Sequence, residues 1–421
     1  MNKIYSLVLL FGLFLISACG TDDGGNNVDS ESPSAPANLT ASNITESSLQ
    51  LDWTASTDNT AVTGYRIYEE NSGNMTPVGA ASTSFVVSNL IAETPYKFHI
   101  TAIDAAGNES GQSNTVEIST AQAPLEFLTN LSEMGVFTGA LANLEPASRV
   151  QLYELNSALF TDYAAKQRLI RFPEGQAMRY DNSDLLPVFP DNTLIAKTFY
   201  YNINDQDPGQ GKQIIETRLL LKIEGAWQVG NYIWNAAQTE ATYRETGSEV
   251  PISYIDGNGD TQNVDYLIPS KENCITCHSN SNTIIPIGPK LRTMNFVPSY
   301  TNMNQLEYFK ANGLLEGLSS ASSISVLPDW TNDALYSLEE RARGYIDINC
   351  AHCHQPGGEV TNFDIDFRFE TPFTDTGIYP NRGEIEARIQ SNMPTYRMPQ
   401  LGRTVVHEEA VSMLIEYLDS L

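Results

Sequence analysis

Two short segments of one pattern constrain this chain more than any other feature of its sequence. Residues 274–278 read CITCH and residues 350–354 read CAHCH, so each segment is Cys-x-x-Cys-His. The chain has only five cysteines and five histidines in 421 residues, and chance rarely places a histidine after both cysteine pairs. The pattern is the attachment signature of haem c, because its spacing lets both sulfurs reach one macrocycle and sets the histidine under the iron.

The signature predicts two haem c groups and gives each motif residue a role. The sulfurs form the covalent links, and the histidines are the proximal iron ligands. The covalent set is Cys274, Cys277, Cys350 and Cys353, and the proximal ligands are His278 and His354. The alternatives are a four-cysteine zinc site, whose cysteine pairs usually lie closer together in sequence, and a pair of thiol redox or disulfide motifs.

The second haem needs a ligand on its opposite face, and Met398 is the predicted one. It lies in a proline-containing loop between the second motif and the last helical pattern. A methionine opposite a histidine raises the reduction potential and suits electron transfer. Met393 is the rival, and core packing is the alternative role of any single methionine.

The first haem has a less clear partner. Met294 is the predicted distal ligand, and the alternatives are Met303, another residue, or a water-bound or vacant position. Lys290 and Arg292 follow the motif, and they are either partners of the haem propionates or a solvated basic pair.

The N-terminus predicts the compartment. Lys3 precedes an apolar run that is too short for a lasting membrane span, and small residues then lead to Cys19. Residues 1–18 therefore resemble a bacterial lipoprotein signal. This resemblance implies that Cys19 is lipidated and anchors the chain in the cell envelope, at the outer membrane on its periplasmic or surface side. An ordinary secretory signal with an incidental cysteine is the alternative.

Net charge narrows the range of partners. The chain carries 51 acidic and 24 basic side chains, a net charge of −27. Such a chain repels nucleic acid, so we expect no nucleic-acid partner. The acidity either attracts a basic redox partner protein of unknown identity or only keeps the chain soluble.

Residues 19–34 are rich in Gly, Asn and acid and predict a flexible tether. Residues 35–122 follow, with short alternating runs between turn residues that predict an antiparallel sandwich. They resemble a fibronectin type III domain, because Trp53 falls in the second strand and Tyr96 at the position of the tyrosine corner. His99 alternates with inward apolar neighbours, so we expect it on the solvent face.

Two further regions follow. Residues 125–327 carry the first motif, and alternating runs predict a β-rich region, best fitted by a second sandwich. Residues 328–421 carry the second motif between two helical patterns, the first starting near Leu335. This order resembles a small class I cytochrome c domain. The predicted fold class is multidomain: an all-β sandwich, a β-rich region and an α-helical cytochrome c-like domain.

The region from Tyr153 to the C-terminus resembles an uncharacterised family of bacterial dihaem c-type cytochromes. The matching segments include residues 153–166, 232–239 and 286–290, and residues 341–345 that run into the second motif. The resemblance implies electron transfer at the cell envelope and specifies no substrate.

These features predict an envelope-anchored dihaem c-type cytochrome that transfers electrons through two covalently attached haems. The alternative is a peroxidase-like dihaem enzyme with an open coordination site at the first haem, so the question of catalysis stays open. A third hypothesis, an adhesive or scaffolding protein, rests on the fibronectin-like domain alone.

Overall fold

The computed structural model describes residues 29–421, which divide after Ala123 into two compact units. The predicted signal peptide, Cys19 and most of the predicted tether lie outside the described residues. Within residues 29–421, the helices are all too short or too polar to cross a membrane.

The first unit is a two-layered β-sandwich. Its strands alternate inward apolar and outward polar residues, so each sheet buries one face. The strands are β1 (Ala37–Ser42), β2 (Ser48–Thr54), β3 (Val62–Glu69), β4 (Asn74–Gly79), β5 (Ser84–Ser88), β6 (Pro95–Asp104) and β7 (Val116–Ser119). One antiparallel sheet has the order β1-β2-β5, and the other has the order β4-β3-β6-β7.

The core of this sandwich contains the residues that the sequence pattern singled out. Trp53 is 5% exposed, and its ring meets Tyr65 edge-on at a centroid distance of 5.4 Å. The hydroxyl oxygen of Tyr96 accepts a hydrogen bond of 2.9 Å from the backbone N–H of Ile91, which forms the expected corner.

His99 does not lie on the solvent face, so that prediction is wrong. Its neighbours in β6 do point into the core, but the outer face is covered as well. Tyr68, directly opposite on β3, stacks on the His99 ring at 4.9 Å, and Glu70 lies 2.9 Å from Nδ1. Strand alternation correctly predicts that His99 points away from the core of the sandwich. It does not predict that Tyr68 and Glu70 bury the ring on that outer face.

The second unit is built on a large antiparallel sheet with short strands around it. Its strands are β8 (Val150–Leu152), β9 (Ala165–Arg171), β10 (Met178–Arg179), β11 (Leu194–Asn202), β12 (Lys212–Ile223), β13 (Ala226–Trp234), β14 (Ala241–Arg244), β15 (Ser248–Ile255), β16 (Thr261–Ile268), β17 (Ser279–Asn280), β18 (Thr283–Ile284) and β19 (Leu315–Glu316). The six-stranded sheet has the order β14-β13-β12-β11-β9-β8.

The two faces of the large sheet differ. Leu219 and Leu221 of β12 enter one core, while Glu216 and Arg218 lie on the other face, as the alternation in the sequence predicts. The hairpin of β15 and β16 packs over part of that second face with an apolar cluster around Phe199. The expected sandwich is therefore realised only in part, because a hairpin and not a second large sheet forms the other layer.

The second unit also contains six α-helices. They are α1 (Lys271–His278), α2 (Leu291–Met294), α3 (Gln305–Ala311), α4 (Leu338–Asn349), α5 (Ile378–Ile389) and α6 (Glu408–Asp419). The last three share one apolar core. The predicted first turn at Leu335 lies outside α4, because Ser337 caps the helix by accepting a hydrogen bond of 3.3 Å from the N–H of Glu340. Residues 124–421 form one compact unit, so the predicted boundary at residue 328 stays a prediction.

Candidate functional site

The first motif forms the end of α1. Ser270 caps this helix, since its Oγ accepts a 3.2 Å hydrogen bond from the N–H of Asn273. Cys274 and Cys277 are three residues apart in the helix, and residues at that spacing share a face. Both thiols therefore point to the same side of α1, with Cys274 at the edge of an apolar core.

His278, the last residue of α1, is held in one tautomer. Its Nδ1 lies 2.7 Å from the carbonyl oxygen of Ile285. A carbonyl oxygen only accepts hydrogen bonds, so Nδ1 carries the proton and Nε2 keeps a free lone pair. Burial lowers the pKa of His278 to about 3, which keeps the imidazole neutral. A neutral ring with its far nitrogen fixed by a hydrogen bond is the usual state of a metal-binding histidine.

The second motif continues the C-terminal end of α4 as a turn. The N–H of Cys350 donates to the carbonyl oxygen of Ile346 at 2.9 Å, and the N–H of His354 donates to that of Cys350 at 3.0 Å. Burial raises the pKa of the Cys350 thiol to about 12 and lowers the pKa of His354 to about 4. Both groups are therefore neutral at pH 7.

A cavity of about 390 Å³ lies beside the second motif. Binding sites for small molecules and cofactors are about 300–1,000 Å³ in volume and mostly apolar. The wall of this cavity includes Cys350, Cys353, His354, Ile365, Phe367, Ile385, Ile389, Met398 and Leu401. The buried Nδ1 of His354 has no hydrogen-bond partner within residues 29–421. Paired thiols, a neutral histidine and a thioether in one apolar cavity fit a haem group.

The two rival methionines differ in their positions. Met398 lines the large cavity together with His354, whereas Met393 is 64% exposed and does not line it. Only Met398 shares a cavity with the predicted proximal ligand, and its role as a ligand stays a prediction.

Arg403 fixes the loop that carries Met398, a role that the sequence analysis missed. Its side chain is 3% exposed, and its guanidinium donates to the carbonyl oxygens of Ser391 at 2.9 Å and Met398 at 3.0 Å. It also donates to the carbonyl oxygens of Ile389 at 3.2 Å and Val405 at 3.1 Å. One buried cation thus satisfies the backbone on both sides of Met398.

The two motifs meet in space. Cys277 lines the large cavity together with Cys353, and the interaction between the two thiols lowers the pKa of Cys277 and raises that of Cys353. The turns that follow the motifs are also joined, because the N–H of Ser281 donates to the carbonyl oxygen of Gly357 at 2.7 Å. Nothing in the local sequence around either motif predicts this contact.

A smaller cavity of about 60 Å³ lies beside the first motif. Cys277 and His352 line both cavities, as do Pro399 and Leu401, so the two spaces adjoin. The wall of the small cavity is partly basic, since it includes Lys197 and Arg218. It includes Cys274, Cys277 and His278 but no methionine.

Met294 and Met303 lie away from this small cavity. Met294 is 2% exposed within an apolar core, and Met303 is 46% exposed. Neither lines the cavity of the first motif. The assignment of Met294 as a distal ligand therefore stays a prediction that rests on the sequence alone.

Lys290 and Arg292 are not a solvated pair. Arg292 has only 3% of its side chain exposed and reaches Asp347 of α4 at 2.7 Å and Glu370 at 2.7 Å. Lys290 lies 3.1 Å from the other oxygen of Asp347. Both cations pair with the buried carboxylate of Asp347. These ion pairs join the segment after the first motif to α4, the helix before the second motif.

His407 is also covered by neighbouring side chains. Its ring stacks on Phe160 at 4.0 Å, and its Nδ1 lies 3.0 Å from the hydroxyl of Tyr345. Burial lowers its pKa to about 4. Although His407 precedes two acidic residues at the start of α6, it is not solvent-facing, because the side chains of two other segments cover it.

The side chains as placed do not form a zinc site. Tetrahedral zinc needs four ligand atoms around one point. Among the cysteines and histidines within residues 29–421, no three ligand atoms lie within 4.8 Å of one another. The group that does meet this limit in the described chain is Asp29, Asp58 and Asp104 of the first unit.

Comparisons with known proteins concern the first unit. The family model of the fibronectin type III domain matches residues 34–119. Chitinase A1 of Niallia circulans is 46% identical over 93 residues, which are 22% of this chain and 13% of that protein. Exoglucanase B of Cellulomonas fimi is 40% identical over 104 residues, which are 24% of this chain and 9% of that protein. The chain thus spans less than a fifth of the length of these relatives.

Two solved structures are similar over 23% and 41% of the chain. The fibronectin type-III domain of human fibronectin type III domain containing protein 3 is 26% identical with a TM-score of 0.20, covering 23% of this chain and 92% of that one. Chitinase ChiA74 from Bacillus thuringiensis is 21% identical with a TM-score of 0.20, covering 41% of this chain and 18% of that one. The family match and the sandwich of β1 to β7 together identify residues 34–119 of this multidomain, β-rich chain as a fibronectin type III domain.

Proposed function

We propose that this chain is an envelope-anchored dihaem c-type cytochrome that transfers electrons to and from partner proteins. When bound, haem iron supplies a one-electron couple. The observation that carries the proposal is that Cys277 of the first motif lines the same cavity as Cys353 and His354 of the second, because this brings two attachment motifs together from distant parts of the sequence. Adjacent attachment sites suit a relay that passes single electrons within one chain.

The chain itself supplies the attachment chemistry. Each of Cys274, Cys277, Cys350 and Cys353 would add its sulfur and its hydrogen across one vinyl double bond. This addition requires neither an oxidant nor a leaving group. The hydrogen bond from His278 to Ile285 holds one imidazole with Nε2 available as the proximal donor. His354 has the same role in the second motif.

Electron transfer is supported most strongly at the second motif. The apolar wall of the large cavity would exclude water, and Met398 would complete a His/Met pair that raises the reduction potential. The order α4, motif, α5, Met398 loop and α6 supports a class I cytochrome c-like domain in this part of the chain.

Anchoring is proposed from the sequence of the N-terminus. Lipidation at Cys19 would tie the chain to a membrane, and the fibronectin type III domain would act as a spacer or docking module between the anchor and the haem-bearing unit. Two or more acyl chains are needed for a stable anchor.

A peroxidase-like dihaem enzyme is the second candidate function. It is favoured by one feature of the first motif: the adjoining cavity contains polar side chains and no methionine. The polarity of a distal pocket and its hydrogen-bond donors decide between ligand activation and simple electron transfer. In this case the second haem would supply electrons to the first.

The haem content of variants tests the proposal. The mature protein should carry two haems when it is produced in a host that attaches haem c. The double substitution Cys350→Ala/Cys353→Ala should leave one haem, as should Cys274→Ala/Cys277→Ala. Replacing the exposed Met393 by Ala is the control and should leave both. Ready binding of cyanide or peroxide by the wild type would favour the enzyme, and a fully low-spin, inert spectrum would exclude it.

A further inference from the structure

The small cavity beside the first motif has hydrogen-bond donors without acceptors on its wall. Thr161 is 1% exposed, and its Oγ1 has no partner within residues 29–421. The buried Nε of Arg218 is likewise unpartnered there. Lys197 lies on the same wall, and burial together with the neighbouring Arg168 and Arg218 lowers its pKa to about 7. Buried donors are normally paired, so this wall is incomplete without an acceptor.

Strand register explains why these cations are crowded. Lys197 of β11 lies directly opposite Arg168 of β9 on one side and Arg218 of β12 on the other. Like charges in directly opposed positions destabilise a sheet. Glu216 pairs with Arg218, which leaves Lys197 and Arg168 without a carboxylate within 4 Å in the described part of the chain. An anion at this position would remove the repulsion.

We propose that Thr161, Lys197 and Arg218 form an oxyanion-binding pocket at the first motif. This inference rests on the proposed haem attachment, since Cys274, Cys277 and His278 line the same cavity. The cavity of about 60 Å³ has room for a carboxylate-sized group, because about 10–15 Å³ of such space is enough to hold one water molecule. The shared chemistry is an anionic oxygen ligand, and its source is either a small soluble oxyanion or a propionate of the haem itself.

Formate binding to the full-length holoprotein tests the pocket. Formate is titrated by absorbance and by calorimetry into the wild type and into Lys197→Gln, Thr161→Val and Lys212→Gln. Valine has the shape of threonine without its hydroxyl. Lys212 lies on β12 outside the cavity and serves as the control for charge. Haem content is measured first for every variant.

Two results support the pocket and show whether its anion is a soluble oxyanion or a haem propionate. Saturable formate binding that weakens about tenfold in Lys197→Gln and about fivefold in Thr161→Val, but not in Lys212→Gln, assigns a soluble oxyanion. If formate has no effect, a propionate predicts that the one-electron equilibrium constant of one haem shifts in both pocket variants. That shift is about tenfold in Lys197→Gln, or about 59 mV, and smaller in Thr161→Val.

Three results overturn the inference. The first is the absence of both a formate response and a potential shift while two haems are retained. The second is a potential shift in Lys197→Gln without one in Thr161→Val, which reports charge alone. A wild type without haem contradicts the proposed function instead. In that case calorimetry still tests the pocket. Formate binding that is weaker in Lys197→Gln than in the wild type supports the pocket. The absence of formate binding, which is expected of a cavity that holds only water, is the third result that overturns the inference.

Discussion

The two attachment motifs have the same pattern and opposite surroundings. The second follows a twelve-residue helix and borders a large, mainly apolar cavity that contains Met398. The first ends an eight-residue helix and borders a small cavity with Lys197 and Arg218 on its wall. A pentapeptide thus specifies the covalent chemistry, whereas the fold around it sets the polarity and the distal groups on which redox behaviour depends.

The largest effect is expected at the ion pairs that join the surroundings of the two motifs. Asp347→Asn removes a carboxylate with 0% side-chain exposure and leaves Lys290 and Arg292 without it. Breaking a buried pair costs about 3–5 kcal/mol, and we expect that loss in the free energy of unfolding, measured by urea titration. The exposed Asp419→Asn is the control and should change stability by about 0.5 kcal/mol or less. A stable Asp347→Asn protein would show that this tie does not hold the two regions together.

A second substitution acts on the loop that carries Met398. Arg403→Met removes the donor of several buried carbonyl oxygens around Met398, each of which loses a hydrogen bond. Unsatisfied buried groups cost about 1–3 kcal/mol each, so we expect about 3 kcal/mol of destabilisation in urea together with a weakened iron–methionine absorption band. Arg382→Met, on the exposed side of α5, should leave both unchanged. An unaltered band in Arg403→Met would mean that the loop is held by other contacts.

Substitutions of Met398 and Met393 show which of the two loop methionines is the distal ligand of the second haem. Met398→Ala should lower the reduction potential of one haem by on the order of 0.1 V, since axial ligands tune haem potentials over about 0.8 V. Met393→Ala, at a residue that is 64% exposed, should leave both potentials unchanged. Spectroelectrochemical titration measures the two couples. The reverse pattern would transfer the ligand role to Met393.

The smallest effect is expected at Met294. Met294 packs in an apolar core and does not line the cavity of the first motif. Leucine is also apolar and has a similar volume, so Met294→Leu should leave the packing of this core nearly unchanged. Such swaps usually cost less than about 1.5 kcal/mol, and the spectrum of the first haem should not change. A spectral change confined to one haem would instead establish Met294 as its distal ligand and sharpen the resemblance between the two sites.

Periodicity predicted the elements that carry the site. The alternating runs within residues 125–327 include β12, and the two helical patterns around the second motif correspond to α4 and α6. These predictions succeed because one face of each element is buried and the other is not. The sandwich of the fibronectin type III domain follows from the same alternation.

Groups brought together over long sequence distances could not be predicted. The cavity shared by Cys277 and Cys353 depends on packing, and the row of Arg168, Lys197 and Arg218 depends on strand register. Local sequence fixes neither. The prediction that His99 faces solvent is wrong for the same reason, because Tyr68 of a neighbouring strand stacks on its ring.

Covalent attachment is tested most directly by the intact mass of the denatured mature protein, produced in a host that attaches haem c. Thioether links survive denaturation, whereas zinc and non-covalent haem are released. The account predicts a polypeptide that carries the mass of two haem groups, reduced to one when Cys350 and Cys353 are replaced by alanine. A bare polypeptide with four free thiols would contradict it.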